Sequence, residues 1–240
     1  ILFFLGSVLM RSAGCIVNDI IDKDFDKKVL RTKNRPLASG KITVLNSLIY
    51  VLALCLASLL ILLQFNFLTI LLGLGSMFFA FSYPFMKRIT YWPQLFLGLT
   101  FNWGIIMGWS SITNNLSIEP IILYLSAIFW TLGYDTIYGL QDIHDDEIIG
   151  VKSTSIKFKD NVKLFVGACY VLFIFLILML AFMLEINKYT FLISLCFIFS
   201  LTYQMKIFKL QNPSSCLDAF KINNFTGFLV FLFILSFNIL

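Results

Sequence analysis

Charge is what this chain has least of. Only 13% of its 240 residues are Asp, Glu, Lys or Arg, against 59% hydrophobic, and the mean hydropathy is +0.89. Soluble globular domains carry about 25% charged residues, so that class is excluded. Histidine occurs once, as His144, among acidic neighbours. A solvated loop side chain is a simpler reading there than a catalytic base. Cysteine is also sparse, and Cys15, Cys55, Cys169, Cys196 and Cys216 lie in or beside apolar runs without metal-type spacing. They read as small buried hydrophobes. Neither a Met nor a basic stretch precedes the apolar run that opens at Ile1, which argues against a cleaved signal peptide.

Long apolar runs, by contrast, fill the chain. About 20 apolar residues in helix cross roughly 30 Å of hydrocarbon. The pattern predicts eight such helices, near Leu2–Ile21, Val44–Leu63, Phe67–Met86, Trp92–Ile112, Pro120–Leu140, Val162–Leu184, Tyr189–Ile207 and Leu217–Ile239. The expected fold is an all-α, polytopic bundle in a lipid bilayer, one transmembrane domain over 1–240. The basic residues orient it. Sixteen of 18 fall on one side: seven in Lys23–Lys41, then Lys87, Arg88, Lys152, Lys157, Lys159, Lys163, Lys206, Lys209 and Lys221. The connections near Gln64–Phe67, Thr113–Glu119 and Glu185–Lys188 carry Lys188 alone, and Arg11 lies within a helix. The positive-inside rule makes the basic side cytoplasmic. Both termini then lie outside, an even count that one missing N-terminal helix accounts for. The net charge of +5 comes from these loops and gives no reason to invoke nucleic acid.

The scarce acids are not scattered. Eight of 13 sit in two clusters, Asp19, Asp22, Asp24 and Asp26, then Asp142, Asp145, Asp146 and Glu147. Carboxylates at the end of an apolar helix are costly to desolvate unless a cation compensates them. Asn18, Asp22 and Asp26, spaced i, i+4, i+8, share a face of the first helix near its cytoplasmic end. Asp142 and Asp146 repeat the i, i+4 spacing in the fifth. Magnesium prefers oxygen ligands, one or two carboxylates plus substrate phosphates, so a shared Mg²⁺ site for a diphosphate follows. Solvated or capping charges are the alternative, and the better reading for Asp24 and Glu147. Matching Asn18-Asp-Ile-Ile-Asp22 to Gln141-Asp-Ile-His-Asp145 hints at a duplicated half and leaves Asp145 or Asp146 open as the ligand.

A set of spaced motifs extends these clusters: Asn18-Asp-x-x-Asp22-x-x-x-Asp26, Arg31-Thr-x-Asn-Arg-Pro-Leu-x-Ser-Gly40, Tyr83-Pro-Phe-Met-Lys87-Arg88, Tyr134-Asp-Thr-x-Tyr138-x-x-x-Asp142-x-x-Asp-Asp146 and Gly150-Val-Lys-Ser-Thr154. In order and along the whole chain, it resembles the UbiA intramembrane prenyltransferases, most of all their hydroxybenzoate branch. The resemblance implies a nine-helix bundle with a central cavity open to lipid; this chain lacks the family's first helix and basic entry segment. It also implies Mg²⁺-dependent transfer of a polyprenyl group from polyprenyl diphosphate to 4-hydroxybenzoate, ortho to the hydroxyl, in ubiquinone biosynthesis. Other acceptors within the family are dihydroxynaphthoate, homogentisate and haem. The membrane would be a bacterial inner membrane, with the mitochondrial inner membrane as the alternative.

Carried over, Asn18, Asp22, Asp142 and Asp146 hold the metals and Asp26 supports them. Lys87, Arg88 and Lys152 are placed to clamp the charge that develops on the leaving diphosphate, Tyr83 to donate to a phosphate oxygen, and Ser153 to join the substrate contacts. Asp22, Asp142, Asp146 and Lys87 are thus the expected catalytic set. Tyr138, a turn below Asp142, offers a π-face to an allylic cation. Arg11 and Asp135 each lie seven residues before an expected ligand, so at about 1.5 Å per residue both fall roughly 10 Å deeper. They are expected to pair, or Arg11 to meet the carboxylate of the aromatic acid while Asp135 orients Arg11 or the phenol. Two other classes compete. A cation-coupled transporter also buries carboxylates in helices, but near the bilayer midplane. A membrane scaffold has no need of aligned acids.

Overall fold

The computed structural model describes residues 1–27, 32–184, 188–210 and 212–238. Arg31, the connection that opens at Glu185, and Ile239 lie outside the described residues. In chain order the helices are α1 (Leu2–Asp26), α2 (Val44–Leu62), α3 (Phe67–Ile89), α4 (Pro93–Phe101), α5 (Gly104–Thr113), α6 (Ile118–Gly139), α7 (Ile143–Ile149), α8 (Thr154–Lys157), α9 (Val162–Met183), α10 (Lys188–Ile207), α11 (Pro213–Lys221) and α12 (Asn223–Leu235). Eight stretches, counting α4 with α5 and α11 with α12 as one span each, are long and apolar enough to cross a bilayer. The chain is a multi-pass membrane protein. Phe78, Phe182 and Phe199 are 73%, 80% and 72% exposed. Hydrocarbon tolerates rings so placed, whereas water penalises them.

Two compact units divide the chain: Ile1–Arg88 with Trp103–Leu116, and Ile89–Asn102 with Ser117–Leu240. In the first, α1 packs on α2. Thr43 caps α2 by accepting the Asn46 N–H at 3.2 Å. Asn66 does the same for the start of α3, accepting the Thr69 N–H at 2.9 Å, and donates to the Ser110 carbonyl at 2.7 Å. The buried Thr69 and Ser110 hydroxyls meet at 2.8 Å, tying α3 to α5. Asn114 then stops α5 in the left-handed region, at φ 51°.

The second unit is built on α6 against α9, with Ile137, Val166, Tyr170, Phe173 and Ile177 fully or almost fully buried. Gly133 makes that approach possible. A Cβ there would stand 2.5 and 2.9 Å from two ring carbons of Tyr170. The ring cannot step aside, because its hydroxyl donates to Gln204 Oε1 at 2.8 Å. Gln204 in turn donates to Thr226 Oγ1 and Asn223 Oδ1 at 2.9 and 3.2 Å, and Trp130 Nε1 donates to the same Asn223 oxygen at 3.1 Å. Gly133→Ala is therefore expected to lower stability by about 1–3 kcal/mol through overpacking. Thermal unfolding in detergent checks this, and an unshifted midpoint would show that the helices separate freely.

Three sequence expectations about helix continuity change. The fourth span breaks at Asn102, which ends α4, and the eighth at Ile222, just before Asn223 opens α12. Asn102 Nδ2 turns back to the Gly98 carbonyl at 2.9 Å and reaches Thr131 Oγ1 at 2.9 Å; Asn223 Nδ2 turns back to the Phe220 carbonyl at 3.0 Å. Each side chain thus adds a second donor to a carbonyl at the break. The fifth span ends at Gly139 rather than running through the acids. Leu140 and Gln141 donate to Ile137 and Tyr138, both at 3.2 Å, the i→i−3 pattern that tightens a last turn. Asp142 and Asp146 therefore belong to α7, and the seven-residue spacing from Asp135 to Asp142 does not set them on one helix face.

Candidate active site

The first acid cluster rides on the end of α1, which continues through Asp26. Asp19 and Asp26 share one cation: Arg35 Nη1 donates to Asp19 Oδ1 at 2.9 Å and to Asp26 Oδ2 at 3.0 Å. The segment that brings Arg35 back is a run of turns. Thr32 Oγ1 donates to the Asp26 carbonyl at 3.1 Å, Arg35 N to Thr32 O and Ser39 N to Arg35 O at 2.9 Å each, and Gly40 takes φ +77°. Only glycine adopts that angle without strain.

Asp22 is separate and more deeply set, with a side chain 5% exposed. Lys87 donates to its Oδ2. Arg88 Nη2 stands 3.7 Å from Oδ1, and that oxygen, though buried, accepts no hydrogen bond among the described residues. A buried carboxylate oxygen without a donor is costly. It is also a ready ligand for a hard cation, and Asn18 lies one turn earlier on the same helix. Within neither unit do three or more His, Cys, Asp or Glu side chains among the described residues gather to hold a metal.

In the second unit Asp142 occupies the N-cap position of α7 and Asp146 its first turn, with Gly150 ending the helix at φ 79°. Acids at a helix start are favoured by its dipole. Ser153 is buried and caps α8, accepting the Ile156 N–H at 3.2 Å. Lys152 Nζ donates to the Ile89 carbonyl at 3.2 Å and lies over the Tyr91 ring at 5.6 Å. A buried latch holds this segment to α4 and α6: Gln94 Oε1 accepts the Thr154 N–H at 2.9 Å, the Thr136 and Thr154 hydroxyls meet at 2.6 Å, and Ser155 donates to the Thr136 carbonyl at 2.8 Å. Tyr138 packs against Phe220 with ring centroids 4.5 Å apart, and Tyr134 lies 5.9 Å from the same ring.

The remaining candidates are placed as follows. Asp24 is exposed and pairs with Lys27 at 3.1 Å, and Glu147 pairs with Lys159 at 2.7 Å, so these two acids serve surface ion pairs. Asp145 lies beside Asp146 in the first turn of α7. Tyr83 is half-buried on α3. Arg11 is exposed on α1; half-buried Asp135, on α6, has no hydrogen-bond or ion-pair partner among the described residues of its own unit. The sequence reading did not anticipate Arg35 as the partner of two acids, nor Gln94, Thr136 and Phe220. Arg35 carried a signal, a cation after an acidic helix end and before Pro36. The others are ordinary residues of apolar helices.

These motifs and this all-helical framework define a class. The chain belongs to the UbiA prenyltransferase family, which it matches over residues 1–233. It is 50% identical over 165 residues to the human protein named mitochondrial 4-hydroxybenzoate polyprenyltransferase, covering 68% of this chain and 44% of that one. The Caenorhabditis elegans protein of the same name is 42% identical over 231 residues, covering 96% and 65%. The Arabidopsis thaliana one is 49% identical over 164 residues, covering 68% and 40%. This chain thus spans between 40% and 65% of the length of these relatives. Among solved structures, the apo UbiA homologue of Aeropyrum pernix aligns with a TM-score of 0.83 at 21% identity, covering 98% of this chain and 88% of that one. A homologue from Archaeoglobus fulgidus bound to GPP and Mg²⁺ aligns at 0.74 and 21%, covering 97% and 86%. The likeness shows a shared fold.

Proposed function

We propose that the protein containing this chain transfers a polyprenyl group from polyprenyl diphosphate to the ring carbon ortho to the hydroxyl of 4-hydroxybenzoate, releasing diphosphate, in ubiquinone biosynthesis. The observation that carries the reading is Asp22, a buried carboxylate with one unsatisfied oxygen in an acid-rich motif of a prenyltransferase family. The acceptor is supported by the names of relatives 42–50% identical to this chain. Both units act as one domain over 1–240. The basic, acid-rich side faces the cytoplasm or, in a mitochondrion, the matrix. A bacterial inner membrane and a mitochondrial inner membrane are the two candidate locations, and the word mitochondrial in the relatives' names supports the second. Membership of a prenyltransferase family leaves the transporter reading without support.

Asn18, Asp22, Asp142 and Asp146 are the residues that would hold Mg²⁺, with Asp26 in support. When bound, the ion would supply Lewis-acid stabilisation of the charge that develops as the allylic C–O bond breaks. The chain's own residues do the rest. Lys87 and Lys152 place positive charge at the leaving diphosphate and Tyr83 a hydroxyl donor, while Ser153 sets the backbone that presents Lys152. Tyr138 turns a π-face to the allylic cation. Arg11 receives the carboxylate of the acceptor and Asp135 its phenol, which fixes the attacking carbon. The decisive assay supplies membranes carrying the full-length protein with 4-hydroxybenzoate, a polyprenyl diphosphate and Mg²⁺. Mass analysis should find the 3-prenylated acid; prenylation of dihydroxynaphthoate, homogentisate or haem in its place would move the protein to another branch.

A further inference from the structure

Lys87 and Arg88 are neighbours with the same charge, and both approach Asp22, yet they are held differently. Arg88 is fastened at three points: Nη2 donates to the Ile21 carbonyl at 2.7 Å, the guanidinium lies 4.9 Å over the Phe25 ring, and Asp22 Oδ1 stands 3.7 Å away. Lys87 has one partner among the described residues, Asp22 Oδ2. Arg35 already occupies Asp19 and Asp26, so Asp22 is the acid of this helix end left to the other two cations. Side-chain chemistry sharpens the contrast. A guanidinium is a planar fork that gains from several fixed acceptors at once, whereas an ammonium is a point charge on a flexible four-carbon stem.

From this difference, and resting on the metal–diphosphate reading of the site, we infer that Lys87 is a transferable counter-ion while Arg88 is a positioning residue. Arg88 pins the end of α3 to α1 and keeps Asp22 in place. Lys87 neutralises Asp22 until a divalent cation takes that carboxylate. Like charges then drive the ammonium off, and the diphosphate that accompanies the metal gives it a new acceptor. No covalent bond changes; one ion pair is exchanged for another. A metal arriving alone must displace Lys87 without offering it a partner, so metal and diphosphate bind cooperatively. By linkage the help is reciprocal.

The test measures binding rather than turnover, using the full-length protein in nanodiscs, Mn²⁺ as a paramagnetic probe and inorganic pyrophosphate. Wild type is expected to bind Mn²⁺ weakly alone and about tenfold more tightly with pyrophosphate, within the usual range of coupling between sites. Lys87→Gln should bind Mn²⁺ alone about tenfold better than wild type and lose most of the gain from pyrophosphate. Lys87→Arg, which keeps a cation on Asp22 and guards against a folding defect in the first variant, should bind Mn²⁺ alone no better than wild type. Arg88→Lys should lower the unfolding midpoint while leaving the coupling intact. If Lys87→Gln folds and gains no affinity for Mn²⁺ alone, or if Lys87→Arg gains it, the exchange is wrong even though Asp22 binds metal. If Asp22→Asn binds Mn²⁺ with pyrophosphate as wild type does, the metal reading itself fails.

Discussion

Asp22→Ala and Asp142→Ala, each made in the full-length protein, should lower prenyl transfer by about 10³-fold, the scale on which loss of one charge-stabilising group acts in a water-excluded site. Neither change touches the apolar core, and α7 buries none of its residues, so membrane insertion should hold. Asp22 needs a control. Its removal leaves Lys87 and Arg88 without their carboxylate, so Asp22→Asn, which preserves shape, should show the same loss of turnover at wild-type abundance. Turnover per molecule, measured at equal protein in the membrane, decides it. Near-normal activity in either alanine variant would mean that the two acid clusters do not serve one reaction.

Stripping divalent cations is expected to reduce transfer to background, with Mg²⁺ restoring it fully and Mn²⁺ in part. All the candidate ligands are oxygens, and an oxygen-only set accepts either hard ion without a soft-ligand preference. None of the five cysteines stands in either acid cluster, so a thiophilic metal such as Zn²⁺ should not substitute. Dialysis against a chelator, followed by titration with each ion, measures this. Full activity in chelator-treated membranes would remove the carboxylates from the chemistry and return them to the status of solvated charges.

Much of this was legible in the sequence, because it rests on local rules. Membrane spans are read from apolar length, since hydrocarbon imposes the same demand on each of them, and the expected orientation rests on where lysine and arginine are tolerated. The acids stand out for a related reason: so apolar a chain holds few carboxylates, and eight of its 13 acids fall in two clusters.

What the sequence could not show depends on partners distant in the chain. The i, i+4 match of Asp142 to Asp146 suggested a continuous fifth helix, but Gly139 lies against Ser155, where a Cβ would meet its Oγ at 2.5 Å, and the helix stops there. The breaks beside Asn102 and Asn223 were equally hidden, since they depend on groups distant in the chain, Thr131 for the first and Trp130 and Gln204 for the second, that hydrogen-bond the asparagine side chains. Among the cations, Lys87 was expected in the catalytic set and Arg88 only in the clamp, but how each is held was hidden until the Ile21 carbonyl and the Phe25 ring showed Arg88 fastened. Composition and apolar run length thus determined that the chain is a multi-pass membrane protein, and its spaced motifs determined the family, each set by residues close in the chain. Tertiary structure alone decided which carboxylate is held by which cation, because an ion pair's strength comes from burial and geometry contributed by residues far apart in sequence.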